Sequence, residues 1–133
     1  MAQEYRSDIL ERILKKLHAA SDGVKATVIV NSDGLLVAAY PPGDDENYYE
    51  NPTSSPQVAA MSASLVALAD KTLRRLAQGD LERILMEGQD GVMVVYPAGK
   101  ASVAVLVEKG ARLSYALYAT KKAAAEIVEV IGG

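Results

Sequence analysis

The sequence predicts an α+β fold: a five-stranded antiparallel sheet sandwiched between helices, in the chain order α-β-β-α-β-β-β-α. Three observations carry this. Two β-branched apolar runs flank Asn31-Ser-Asp-Gly34, which is the composition of a β-hairpin. Three more short apolar runs lie close together in the second half, joined by turn residues. Segments with apolar residues at three- and four-residue spacing stand between and around these groups rather than between single strands, which excludes a doubly wound sheet.

Taken in order, Tyr5, Ile9, Ile13 and Leu17, joined by Leu10 and Leu14, form the apolar side of a first helix, with Arg6, Glu11, Arg12, Lys15 and Lys16 opposite. Gly23 is expected to end it. The hairpin strands follow between Val24 and Tyr40, and Pro41-Pro42-Gly43 stops the second of them. A polar loop, Asp44 to Glu50, leads to Ser55-Pro56, a helix cap followed by proline at the first helical position. The second helix is predicted to run to about Gln78 and to close at Gly79, a length of roughly 34 Å. Strands are expected at Leu81–Glu87, Gly91–Tyr96 and Ala101–Glu108. From Leu113, the stripe Leu113, Leu117, Ala124, Ile127 and Ile131, with Thr120 its one polar member, makes a third helix.

A chain of 133 residues, half of them apolar and 23% charged, fits one domain spanning 1–133 and needs no covalent staple. Cysteine, phenylalanine and tryptophan are absent and His18 is the sole histidine. Disulfides, thiolate chemistry and histidine-built metal sites are thereby excluded. A net charge of −3 argues against nucleic acid as a partner. The longest uncharged stretch, Asn51 to Ala69, is interrupted by Asn, Gln, Ser, Thr and Pro, so no direct membrane insertion is expected. The charged start of the chain does not resemble an export signal, and a cytoplasmic location is expected.

The second helix is the informative element. From Gln57 to Ala69 it carries no charge, and it has nearly three apolar faces where one would suffice to cover a sheet. Val58, Met61, Leu65 and Leu68 form one stripe; Ala59, Val66, Ala69, Leu73 and Leu76 form a second; Ala60, Ala63 and Ala67 form a third. Five strands span roughly 24 Å and one helix about 10 Å. The first and last helices can share one face of the sheet, whereas the second cannot cover the other alone. A homodimer through the second helix, with Val58, Met61, Leu65 and Leu68 at the interface, is the expected solution.

The element order, the hairpin Ala26-Thr-Val-Ile-Val-Asn-Ser-Asp-Gly-Leu-Leu-Val-Ala, the uncharged Ala/Ser/Leu helix, and the strands Gly91-Val-Met-Val-Val-Tyr and Ala101-Ser-Val-Ala-Val-Leu-Val-Glu together resemble the roadblock/dynein light-chain domain. The likeness runs from about Ser7 to Ile131. It implies a roadblock, profilin-like fold and a homodimer that serves as a platform for other proteins. Bacterial members of the family are partners of a small Ras-like GTPase that controls polarity and gliding; eukaryotic members bind a dynein intermediate chain or help regulate GTPases. The acidic insert Gly43–Asn51 departs from the short connection expected there.

Sites for chemistry are scarce. Gly99-Lys100-Ala101 lacks both the hydroxyl residue and the leading glycine of a phosphate loop. Asp44, Asp45, Glu46 and Glu50 lack the alternating spacing and central glycine of a calcium loop and read as a hydrated acidic run. His18 lies in a charged helix with no nucleophile or orienting carboxylate in a motif around it. No catalytic residue, cofactor or metal is therefore expected. Candidate partner contacts are Lys71, Arg74 and Arg75, a basic end on the second helix, and Tyr48 and Tyr49 in the acidic loop. The leading expectation is a non-enzymatic, homodimeric regulator of a small Ras-like GTPase. An adaptor for a motor or membrane-associated complex, a small-molecule sensor and, last, a weak hydrolase are the alternatives.

Overall fold

The computed structural model describes residues 6–42 and 51–132. Within them lie three α-helices, α1 (Arg6–Ala19), α2 (Pro56–Arg75) and α3 (Leu113–Ile131). Five strands accompany them: β1 (Val24–Asn31), β2 (Leu36–Tyr40), β3 (Ile84–Glu87), β4 (Gly91–Ala98) and β5 (Ala101–Glu108). A single 3₁₀ turn, Pro52–Ser54, precedes α2. The strands form one antiparallel sheet in the order β2-β1-β5-β4-β3. The hairpin and the meander are thus joined through β1 and β5. Tyr5 and the whole run 43–50, including Asp44, Asp45, Glu46, Tyr48, Tyr49 and Glu50, lie outside the described residues.

The sheet is covered on both faces, which is why β1 reads as an almost continuous apolar run. On one face α1 contributes Leu10, Ile13, Leu14 and Leu17, and α3 contributes Ala116, Ala123, Ala124 and Ile127, over Ile29, Val94, Tyr96, Val103 and Val105. On the other face Ala59, Ala63 and Val66 of α2 pack on Val28, Val30, Val95 and Ala104. The two-residue period of the strands sends neighbours Val28 and Ile29 to opposite sides. Thr120 is fully buried within α3 and is satisfied by donating to Ala116 O at 2.6 Å. His18 is half-buried edge-on to Tyr40, with ring centroids 5.1 Å apart.

Several boundaries differ from the sequence expectation. The first helix ends at Ala19 rather than at Gly23. Gly23 instead lets two chain segments pass closely, since a Cβ there would lie 2.1 Å from the Cβ of Ala111. α2 ends at Arg75, not near Gln78, and its closing residue is Ala77 rather than Gly79. Ala77 takes the left-handed conformation (φ 59°), its N–H bonds Arg74 O at 3.0 Å, and the Gln78 N–H bonds Leu73 O at 2.8 Å. This is the six-to-one, five-to-two pattern of a Schellman cap. β3 begins at Ile84 instead of Leu81, because the Leu81 N–H is taken by the Asp70 carboxylate at 2.9 Å. β4 continues through Pro97 to Ala98. Its pairing with β3 stops at Val95, so the amide hydrogen that proline lacks is not needed on that edge.

Candidate functional site: the outer face of the second helix

Two ends fix α2 on the sheet. At its N-terminus Ser55 caps the helix, its hydroxyl accepting from Val58 N at 3.1 Å, with Pro56 in the first turn. Just upstream, Asn51 is fully buried and ties three segments together. Its Nδ2 donates to Pro41 O at 2.8 Å and to Thr27 O at 3.3 Å, and its Oδ1 accepts from the Thr53 hydroxyl. The Ser54 hydroxyl donates to Asn51 O at 2.8 Å. Nothing in the local sequence marks Asn51, because its backbone partners lie 10 and 24 residues away.

At the C-terminal end, Asp70 and Arg74 are the fixings. Arg74 donates from Nε to Asp70 at 2.9 Å and from Nη2 to Asp80 at 3.0 Å, linking the last turn of the helix to the lead-in of β3. The sequence expectation placed Arg74 with Lys71 and Arg75 as a basic partner-binding end. The structure separates them: Arg74 is paired at the surface with two carboxylates, while Lys71 and Arg75 line an open cleft with Leu68, Thr72 and Leu76.

Between these ends the helix buries little of itself. Only Ala59 and Ser62 are fully buried. Met61 and Leu68 are 62% and 64% exposed, Leu76 is 61% exposed, and Val58 and Leu65 are half-buried. Of the four predicted interface residues, Met61, Leu65 and Leu68 line one shallow apolar groove with Ala60 and Ser64, and Val58 stands at its N-terminal shoulder. Leu76, assigned from the sequence to a second stripe with Val66, points outward instead. An apolar ridge of this kind along most of a helix is far from the scattered single exposures of an ordinary surface.

Another concave feature is a cleft of about 410 Å³ between α2 and the β4–β5 turn, lined by Val66, Asp70, Arg74, Asp80, Lys100 and Ser102. Its one arginine is held by its two carboxylates, leaving Lys100 as the cation outside that cluster. Among the described residues no group of three or more His, Asp or Glu side chains is arranged to hold a metal ion. No helix of the described residues is long and apolar enough to cross a membrane.

Comparison with known proteins follows the same lines. The chain belongs to the Roadblock/LC7 domain family, whose model matches residues 10–108. A protein of Methanocaldococcus jannaschii, itself described as uncharacterised, is 27% identical over 119 residues, covering 90% of this chain and 96% of its own. Among solved structures, Myxococcus xanthus MglB is similar with a TM-score of 0.81 at 15% identity, covering 98% of this chain and 93% of that one. Profilin IB of Acanthamoeba castellanii has a TM-score of 0.64 at 14% identity, with 90% and 97% covered. The fold is therefore the roadblock, profilin-like one that the element order predicts.

Proposed function

We propose that this Roadblock/LC7 chain is a non-catalytic regulatory platform: a homodimer, joined through the outer face of α2, that binds a small Ras-like GTPase and modulates its nucleotide cycle. The observation that carries the proposal is the open row Met61, Leu65 and Leu68 on a helix otherwise seated on the sheet. Uncovered, it leaves large apolar side chains in water; paired with its own copy across a two-fold axis, it buries them, each costing roughly 1.5–3 kcal/mol to leave exposed. Ala60 and Ser64, beside them, allow two helices to approach closely.

The same geometry supplies a route to regulation. Two copies of α2 create a composite surface at the two-fold axis, flanked by Lys71 and Arg75 from each protomer. A GTPase seated there has its switch segments held in one arrangement, which alters hydrolysis without a residue donated to the reaction. Lys71 and Arg75 act at the rim, steering encounter rather than setting residence time. Arg74 keeps the end of α2 in place.

Titration of a GTP-loaded and a GDP-loaded Ras-like GTPase against the protein tests the proposal. Preference for the GTP form is expected, because only that form holds its switch loops in a fixed shape. Equal affinity for both forms would turn the platform into an adaptor, and absence of binding across candidate GTPases would remove the GTPase from the account.

A further inference from the structure

The outer side of α3 carries a feature that the α2 platform does not use. From Lys109 to Ala125 the chain has four cations, Lys109, Arg112, Lys121 and Lys122, and no carboxylate, within a protein of net charge −3. Tyr115 and Tyr118 stand among them, 57% and 73% exposed. At spacings of three and four residues, Arg112, Tyr115, Tyr118 and Lys122 follow one line along the helix, about 15 Å long. The Arg112 guanidinium lies 5.6 Å from the centre of the Tyr115 ring and donates to its hydroxyl at 3.2 Å, which fixes the start of the row.

The ridge is flanked by concavities. Lys121 lines a cleft of about 400 Å³ with Arg83, Tyr96, Pro97 and Val128. Lys122 borders a smaller one against α1, where the neighbouring Lys16 is already paired with Glu126 at 2.8 Å. Lys109 is held by Gln89 O at 2.6 Å. Lys121, Lys122 and Arg83 make no ion pair among the described residues. Glu82 is the one carboxylate lining the larger cleft.

We infer that this face of α3 docks a short acidic segment of another protein, with Tyr115 and Tyr118 providing contact area and Lys121, Lys122 and Arg83 pairing with its carboxylates. Tyrosine offers a large, partly apolar surface with few rotatable bonds, which is why it anchors interfaces. The patch is local, and this selects the partner. A bilayer or a duplex would bring an extended polyanion against a protein of net charge −3, whereas a short peptide meets only charge within about one screening length, ~8 Å at physiological salt. The site is independent of the α2 platform, since α2 and α3 pack on opposite faces of the sheet. Its α3 residues also lie beyond residue 108, where the match to the family model ends, and only Arg83 falls within the match.

The test is titration of the full ¹⁵N-labelled chain with a probe peptide, N-acetyl-(Glu-Glu-Leu)₄-amide, and with its lysine-for-glutamate counterpart. Amide shifts are expected to concentrate between Arg112 and Ala125 and around Arg83 for the acidic peptide alone. Binding should weaken at least about tenfold in Lys121→Glu/Lys122→Glu and several-fold in Tyr118→Ala. Shifts centred on α2, equal binding of the lysine peptide, or no binding would overturn the inference. So would tighter binding to phosphatidylserine vesicles or duplex DNA than to the peptide. A shift from dimer to monomer in the double variant would assign the face to a second copy of the chain instead.

Discussion

Gly34, in the β1–β2 turn, and Ala60, in α2, meet so closely that a Cβ on Gly34 would lie 3.1 Å from the Ala60 Cα. The turn is built for this approach. Asn31 Oδ1 accepts from the N–H groups of Asp33 and Leu35 at 2.9 and 3.0 Å, and Gly34 takes a φ of 84°. The Ser32 N–H reaches across to Lys100 O at 3.1 Å, so the β4–β5 turn braces the β1–β2 turn that meets α2.

Gly34→Ala is therefore expected to destabilise the protein by about 1–2 kcal/mol from the left-handed backbone alone, with more from displacing the helix. Urea unfolding should show a lower midpoint at an unchanged slope. A midpoint within error of wild type would mean that the helix does not rest on the turn.

Asn51→Ala removes the donor that Pro41 O and Thr27 O share and leaves buried acceptors unpaired, at a cost of about 1–3 kcal/mol. Thermal unfolding should fall by several degrees. Asn51→Asp should be no better, because a carboxylate keeps the acceptor for Thr53 but cannot donate to either carbonyl.

Ala77→Gly is expected to act in the opposite direction. Ala77 holds the left-handed position of the α2 cap, where a side chain costs roughly 1 kcal/mol that glycine does not incur. A small rise in unfolding midpoint, with binding unchanged, is the predicted result; no change would place the strain elsewhere.

Lys71→Glu/Arg75→Glu should slow GTPase association and weaken its salt dependence while leaving dissociation nearly unaltered. Arg74→Ala should do the reverse: association close to wild type, and a stability loss of under about 1 kcal/mol, because both of its ion pairs are solvent-exposed. Stopped-flow mixing separates the two.

Much of this was legible in the residues themselves. The apolar period of Leu10, Leu14 and Leu17, the β-branched run Thr27-Val-Ile-Val30, and the uncharged run from Gln57 to Ala69 each predict the element observed. What stayed hidden depends on contacts between distant segments. Asn51 is bonded to carbonyls of another hairpin, and Asp70 claims the Leu81 N–H that a strand would otherwise use. Arg74 shares a helix end with Lys71 and Arg75; its pair with Asp70 follows the four-residue helical spacing, whereas its second pair, with Asp80, depends on how the chain turns after α2. Ala77 defeats the expectation that glycine closes a helix, because the Schellman bonds compensate for its side chain.

Sedimentation of the wild type beside Leu68→Asp tests the pairing of α2 most directly. Leu68 is 64% exposed in a single chain, so an aspartate there burdens the dimer and not the protomer. The wild type is predicted to sediment as a dimer at micromolar concentration. Leu68→Asp is predicted to sediment as a monomer with an unaltered far-ultraviolet circular dichroism spectrum, because a buried unpaired charge weakens association by about 3 kcal/mol or more, over a hundredfold. A wild type that is monomeric, or a variant that stays dimeric and folded, would contradict the account.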